Sequence, residues 1–260
     1  MPANTIDEVI ARLDDIVASS IRTGDRKGYF AALYNRVTRA VKEGIAKGKF
    51  ENGPRMERLD VVFANRYLAA YDAYVTGELP SRSWLKAFAA AENPHHVVLQ
   101  HLLVGMNAHI NLDLGVAAAR VCPGAEIAGL EGDFTTINNL LATETPIVEK
   151  ELDTESAGFK FLAGLLPQSL ELNIVGTAMD GARVEAWDFA VELAPLSPQD
   201  QLPHMARRDG VVADLADVVL CDGVLSGILH IGESEDVAAN IRILAQGELR
   251  THLPPAPVGD

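Results

Sequence analysis

The chain has 260 residues, 48 % of them hydrophobic, and sets 36 acidic side chains against 22 basic ones, a net charge of −14. That hydrophobic share excludes a disordered chain, and the negative charge, uninterrupted by any basic stripe, argues against nucleic acid or an anionic membrane as the main partner. Cys122 and Cys221 stand alone, so neither a zinc knuckle nor a disulfide framework is indicated.

Helical periodicity begins at once. Thr5 and Glu8 form a capping-box pattern ahead of Ile6, Val9, Ile10, Leu13, Ile16 and Val17, which predicts a helix to about Ser20. A second helix is expected from near Asp25, with Tyr29, Phe30, Leu33, Tyr34, Val37, Val41 and Ile45 on one face, ending at Gly48. A third runs from Met56 to Thr76 and carries Asp60, Asn65, Arg66 and Asp72 among its apolar residues. Arg66 there is read as a structural ion pair in preference to a clamp for an anionic substrate. Gly77 and Pro80 break that helix, and Ser81 or Ser83 caps a short one bearing Trp84 and Phe88.

The segment from Pro94 to Gly115 holds four of the seven histidines among valines and leucines spread around the whole helical circumference, the pattern of a buried helix. Asn93 and Pro94 read as its N-cap and first residue, and Cys122-Pro123-Gly124 as its stop, giving a central helix over about 94–118. His101, Gly105, His109 and Asp113 recur every four residues and form one slanting row. His101 lies about 12 Å from His109 along the axis, whereas His109 and Asp113 are about 6 Å apart. The chemical unit is therefore His109 with Asp113, read either as a satisfied hydrogen-bonded pair or as two ligands of a metal ion. His101 is a neighbour in the same cleft, and Gly105 a notch for a substrate or a second helix. Asn107 and Asn111 face away, where their amides tie helices together.

Beyond Gly124, Asp133 is expected to cap a helix through Phe134, Ile137 and Leu141, with Pro146 kinking or dividing the chain on the way to Leu152. A long apolar helix is expected from Ser169 to about Leu193, carrying Arg183 and Trp187 one turn apart as a stacked pair or a site wall. Pro203 delays the next start to near His204, with an end at Cys221; Ser234 opens the last helix, to about Gln246, and residues 251–260 form a loose tail. No stretch alternates as a strand does. The reading is a single all-α domain over 1–250, an irregular bundle around the central helix.

The chain resembles the bacterial and fungal family labelled DUF5995, a domain of unknown function, through GDRKGYFAALYNRVT from Gly24, LDVVFANRYLAAY from Leu59, HLLVGMNAHINLDLG from His101, DFTTINNLL from Asp133 and RVEAWDFA from Arg183. The resemblance implies no reaction. It does imply that Arg66, His101, Asn107, His109, Asp113, Asp133, Arg183 and Trp187 sit in recurring motifs, consistent with a shared site among helices. The row of four-spaced residues is also similar to metal-binding helices of zinc-dependent phospholipase C and the zinc single-strand nucleases, but the remaining histidines, His204, His230 and His252, are too few and too scattered to complete a trinuclear site. Glu92 and His95 have the di-iron spacing, but Pro94 places them across a helix start.

Two functions are expected from these residues. The first is a metal-dependent enzyme with zinc or iron on His109 and Asp113, completed by Asp133 or Asp72, and with His101 as general acid or base. Arg66, Asn107 and Arg183 join its catalytic set, and hydrolysis by metal-bound water is favoured over oxygenation. The second is a metal-free protein or cyclase-like enzyme, with an apolar pocket for a small molecule lined by the same histidines. The expected partner is thus a small molecule. The start Met1-Pro2-Ala3-Asn4 lacks the basic and apolar regions of a signal peptide, and no membrane span is expected, which reads as cytoplasmic.

Overall fold

Thr5 accepts a hydrogen bond from the Glu8 amide at 3.2 Å and opens helix α1 (Ile6–Thr23), which ends on Gly24 in the left-handed region at φ 67°. Glu8 reaches back to the Asn4 amide, one residue earlier than a capping box requires. Asp25 makes a turn through its own side chain to the Lys27 amide, so α2 (Gly28–Ala46) starts three residues later than expected. Asn52 caps α3 (Gly53–Val75), and of the two candidate serines Ser81 caps α4 (Arg82–Ala90). The computed structural model describes residues 1–137, 168–220 and 235–246, and these contain helices and turns with no strand.

The central helix begins at Val98, four residues after the expected start. Asn93 spends its side chain on the His95 amide and the His96 ring, which turns the chain before Val97, and Gln100 then caps the Val97 amide. Three pieces run on without a break: α5 (Val98–Ala108), a π-helical turn (His109–Leu114) and α6 (Gly115–Val121). This run is long and apolar enough to cross a membrane by length and composition, and 83 % of its most apolar window is buried among the other helices.

A 3₁₀ segment (Gly124–Leu130) and helical turns over 131–137 come next, then α7 (Gln168–Leu193), α8 (Pro198–Val219) and α9 (Val237–Gln246). Helix α8 starts at Pro198, six residues before the expected His204. Pro203 removes a single backbone bond, while Ser197 caps the Asp200 amide and Gln201 donates to the Leu193 and Leu196 carbonyls, so the first turns hold. Leu141, Pro146, Leu152, Cys221, Ser234 and the tail 251–260 lie outside the described residues.

One hydrophobic core unites the described helices, with the central helix packed against α2, α3, α4, α7 and α8. Its two glycines are the points of closest approach. A β-carbon on Gly105 would lie 2.5 Å from the Phe30 ring of α2, and one on Gly115 would lie 2.8 Å from the Ala186 carbonyl oxygen of α7. Backbone cannot yield as a side chain can. Gly115→Val is therefore expected to lower stability by about 1–3 kcal/mol, whereas Gly181→Ala, with nothing within 4 Å, should leave it unchanged or raise it by up to about 1 kcal/mol. Equal denaturation midpoints for the two variants would contradict the close α6–α7 contact.

Candidate functional site

The π-helical turn carries both members of the four-spaced pair. Such turns leave the ordinary helical register and recur at functional sites. Asp113 is 1 % exposed, and both its oxygens are engaged. The Arg66 guanidinium of α3 donates through Nε to Oδ1 at 2.5 Å, and the Trp84 indole of α4 donates to Oδ2 at 2.7 Å. His109 Nδ1 stands 3.4 Å from the same Oδ2, a longer and weaker contact. Burial alone would push the Asp113 carboxyl up, but Arg66, His109 and Trp84 together outweigh it and hold the group below its ordinary range.

His109 sits in an aromatic cage. Phe63 stacks on it at 3.6 Å between centroids with planes 8° apart, and Tyr34 meets it edge-on at 4.4 Å; Phe30, Trp84 and Tyr67 complete the walls at 5.7, 5.9 and 6.3 Å. Burial lowers the imidazole's pKa and outweighs the attraction of Asp113, so the ring is neutral near pH 7. An ionised Asp113 only accepts hydrogen bonds, which puts the ring proton on Nδ1. Nε2 is then a lone-pair acceptor, buried and without a partner among the described residues.

Asp60 is buried on α3 one helical turn before Phe63, the ring that stacks on His109. Burial, followed by the nearby charge of Glu57, pushes its carboxyl up to about 8. The Tyr34 hydroxyl is raised first by burial, then by Asp60 and Asp113, which places it within electrostatic reach of both carboxyls.

The other candidates lie elsewhere. His101 shares the helix face with His109, yet Phe30 fills the Gly105 notch, and His101 packs instead on Tyr29 at 5.5 Å and His96 at 6.1 Å. Burial, then His96 and Arg26, lowers its pKa to about 4. Asn107 donates to the Val212 carbonyl of α8 and accepts from Asn111, the tie between helices expected of these amides. Asp133 does not cap its own helix. It accepts from the Glu51 and Asn52 amides at the start of α3 and from Arg55, anchoring two elements together. Asp72 pairs with Arg12. Arg183 is buried on α7, and Trp187 meets Phe134 at 4.9 Å. Among the described residues no group of three or more His, Cys, Asp or Glu side chains is placed to hold a metal ion.

Sequence spacing missed Trp84, Tyr34 and Phe63, whose aromatic rings sit at ordinary core positions in their own helices and carry no local signal. The fold and geometry together define an all-α bundle with a buried, charge-balanced histidine–aspartate pair on its central helix. A model of the family of unknown function DUF5995 matches residues 6–221, and the chain belongs to that family. No curated protein and no solved structure matches it.

The buried carboxyl and the buried imidazoles titrate with opposite signs. Asp60 holds its proton more tightly folded than unfolded, so its contribution to stability is complete below about pH 4 and is lost as pH rises through about 8. Asp60→Asn should therefore gain in melting temperature over the parent as pH rises from 5 to 8; a constant difference would mean that Asp60 is ionised in the fold. His101 and His109 bind protons less tightly when folded, so both lose stability as pH falls below 6.5, in the case of His101 down to about 4. His101→Gln should weaken that acid-side loss, and thermal melts between pH 4 and 7 that are unchanged by the substitution would contradict it.

Proposed function

We propose that this protein is a metal-independent acid–base enzyme acting on a small uncharged molecule, with His109 as the group that exchanges protons and Asp113 as the residue that orients it. The observation that carries this reading is the contrast between the two ends of the imidazole. Nδ1 faces a carboxylate already neutralised by Arg66, while Nε2 is buried, unprotonated and free to accept a proton. An aspartate that fixes the tautomer of a neutral histidine is a recurrent way of presenting a base.

The small-molecule class is argued from charge. Arg66 and Asp113 cancel, His109 is neutral, and the enclosing walls are aromatic, so a charged ligand would be desolvated against nothing that compensates it. The competing reading is a zinc or iron centre on His109 and Asp113 with hydrolysis by metal-bound water. It is less well supported, because Arg66 and Trp84 already take the Asp113 oxygens and Asp133 is committed to the start of α3.

Metal analysis of protein purified without chelators, followed by titration with zinc and with ferrous iron, separates the two. Substoichiometric metal is expected, with no effect of His109→Gln on metal content. That variant should also stay folded, because Arg66 and Trp84 still hold the Asp113 carboxylate. Stoichiometric metal lost on His109→Gln would overturn the metal-independent reading in favour of the metal centre.

A further inference from the structure

Helix α8 is held firmly on one side. Asn107 donates to its Val212 carbonyl and Gln100 to its Val219 carbonyl, Arg208 donates to the Asn111 carbonyl, and Asp209 accepts from the Arg82 and Ser83 amides at the start of α4. Val212, Ala213 and Ala216 are buried on that side. The other side lacks the polar surface that a solvent-facing stripe ordinarily carries. Val211, Leu215 and Val218 are 60, 46 and 71 % exposed, and their spacing of four and three residues lines them up on one face. Exposed apolar side chains are ordinary when scattered singly. Three in succession at this spacing form the seam of a helix that packs on another helix.

Two charges flank the seam on the same edge. Arg207 and Asp214 are seven residues apart, two helical turns, and both lie beside Val211 on its outward face. Arg207 reaches Glu192 of α7 at 3.3 Å, yet its side chain stays 73 % exposed. Asp214 is exposed and enters no ion pair among the described residues. The neighbouring charges are already taken. His204 pairs with Glu192 and Arg208 with Glu185, which draws both toward α7, and Asp217 pairs with Lys86.

We propose that a second copy of the chain docks on this face, with the two α8 helices antiparallel about a two-fold axis that crosses the seam at Val211. Such an axis reverses the helix direction and keeps each edge on its own side. Arg207 lies four residues before Val211 and Asp214 three after it, so Arg207 of one copy comes to within about 1.5 Å, along the helix, of Asp214 of the other. The match is made twice. Leu215 and Val218 of each copy are covered by the turn from His204 to Arg208 of the other. A parallel pairing would put the two arginines at one level and the two aspartates at another, on opposite edges, with no opposite charge to meet. The chain's net charge of −14 opposes self-association in general, but at this face one cation answers one anion. The contact is small. From His204 to Val218 the helix spans about 21 Å, well short of what a permanent dimer buries, so the dimer is weak and depends on concentration. The proposal is independent of the acid–base reading of His109.

Sedimentation equilibrium of the whole chain between about 5 and 200 µM should show monomer and dimer in exchange. Leu215→Asp, at a position exposed in the monomer, should raise the dissociation constant at least about tenfold with an unchanged circular dichroism spectrum. Arg207→Asp and Asp214→Arg should each weaken the dimer by setting like charges together, and the double exchange should restore it. A chain that stays monomeric throughout that range would overturn the proposal and leave the face to a different partner. A dimer left intact by Leu215→Asp would place the interface elsewhere, and a double exchange as weak as either single variant would overturn the antiparallel pairing.

Discussion

A carboxylate that is 1 % exposed has to be neutralised where it stands, and at Asp113 this is done by one guanidinium from a neighbouring helix. The Arg66–Asp113 pair ties α3 to the π-helical turn, since the buried carboxylate needs a cation within hydrogen-bonding distance and Nε supplies it at 2.5 Å. Trp84 fixes the third direction by donating to the other oxygen from α4. Three helices are thereby tied to one residue. Removing Arg66 alone would leave a buried charge unpaired, and removing Asp113 with it would leave the Trp84 indole and the His109 Nδ1 proton without their acceptor.

The same pair governs the histidine. Asp113, kept ionised, makes His109 carry its proton on Nδ1, and the aromatic cage keeps the ring neutral by excluding water. Phe63, stacked face to face with His109, and Tyr34 at its edge prevent the imidazole from turning to satisfy Nε2 elsewhere. The nitrogen is thereby held without a hydrogen-bond partner among the described residues. The π-helical turn belongs to this arrangement as well, since His109 and Asp113 are the residues it carries.

Much of this was legible in the sequence, and the limits have physical causes. Four-residue spacing identified His109 and Asp113 because intrahelical neighbours depend only on helix geometry. An arginine on an apolar helix announced an ion pair, although which carboxylate it would meet depended on how α3 crosses the central helix. The same spacing put His101 beside His109, and Phe30 seated on Gly105 separates their surroundings. Asp133 has the local signature of a helix cap, yet its carboxylate serves the start of α3, 82 residues from Glu51. The all-α class was readable because its signal recurs in every helix. The tertiary partners of buried charges were not, because a charge is satisfied by whichever chain passes nearby.

The protonation state of the His109 ring is the most direct test of the Asp113–His109 relation. Nitrogen NMR on protein with ¹⁵N-labelled histidine distinguishes the two neutral tautomers from the imidazolium. His109 should be neutral at pH 7 and above, with its proton on Nδ1 and a bare Nε2, and Asp113→Asn should disturb that preference. A protonated Nε2 in the neutral ring, or an imidazolium at pH 7, would contradict the claim that an ion-paired Asp113 presents His109 as a base.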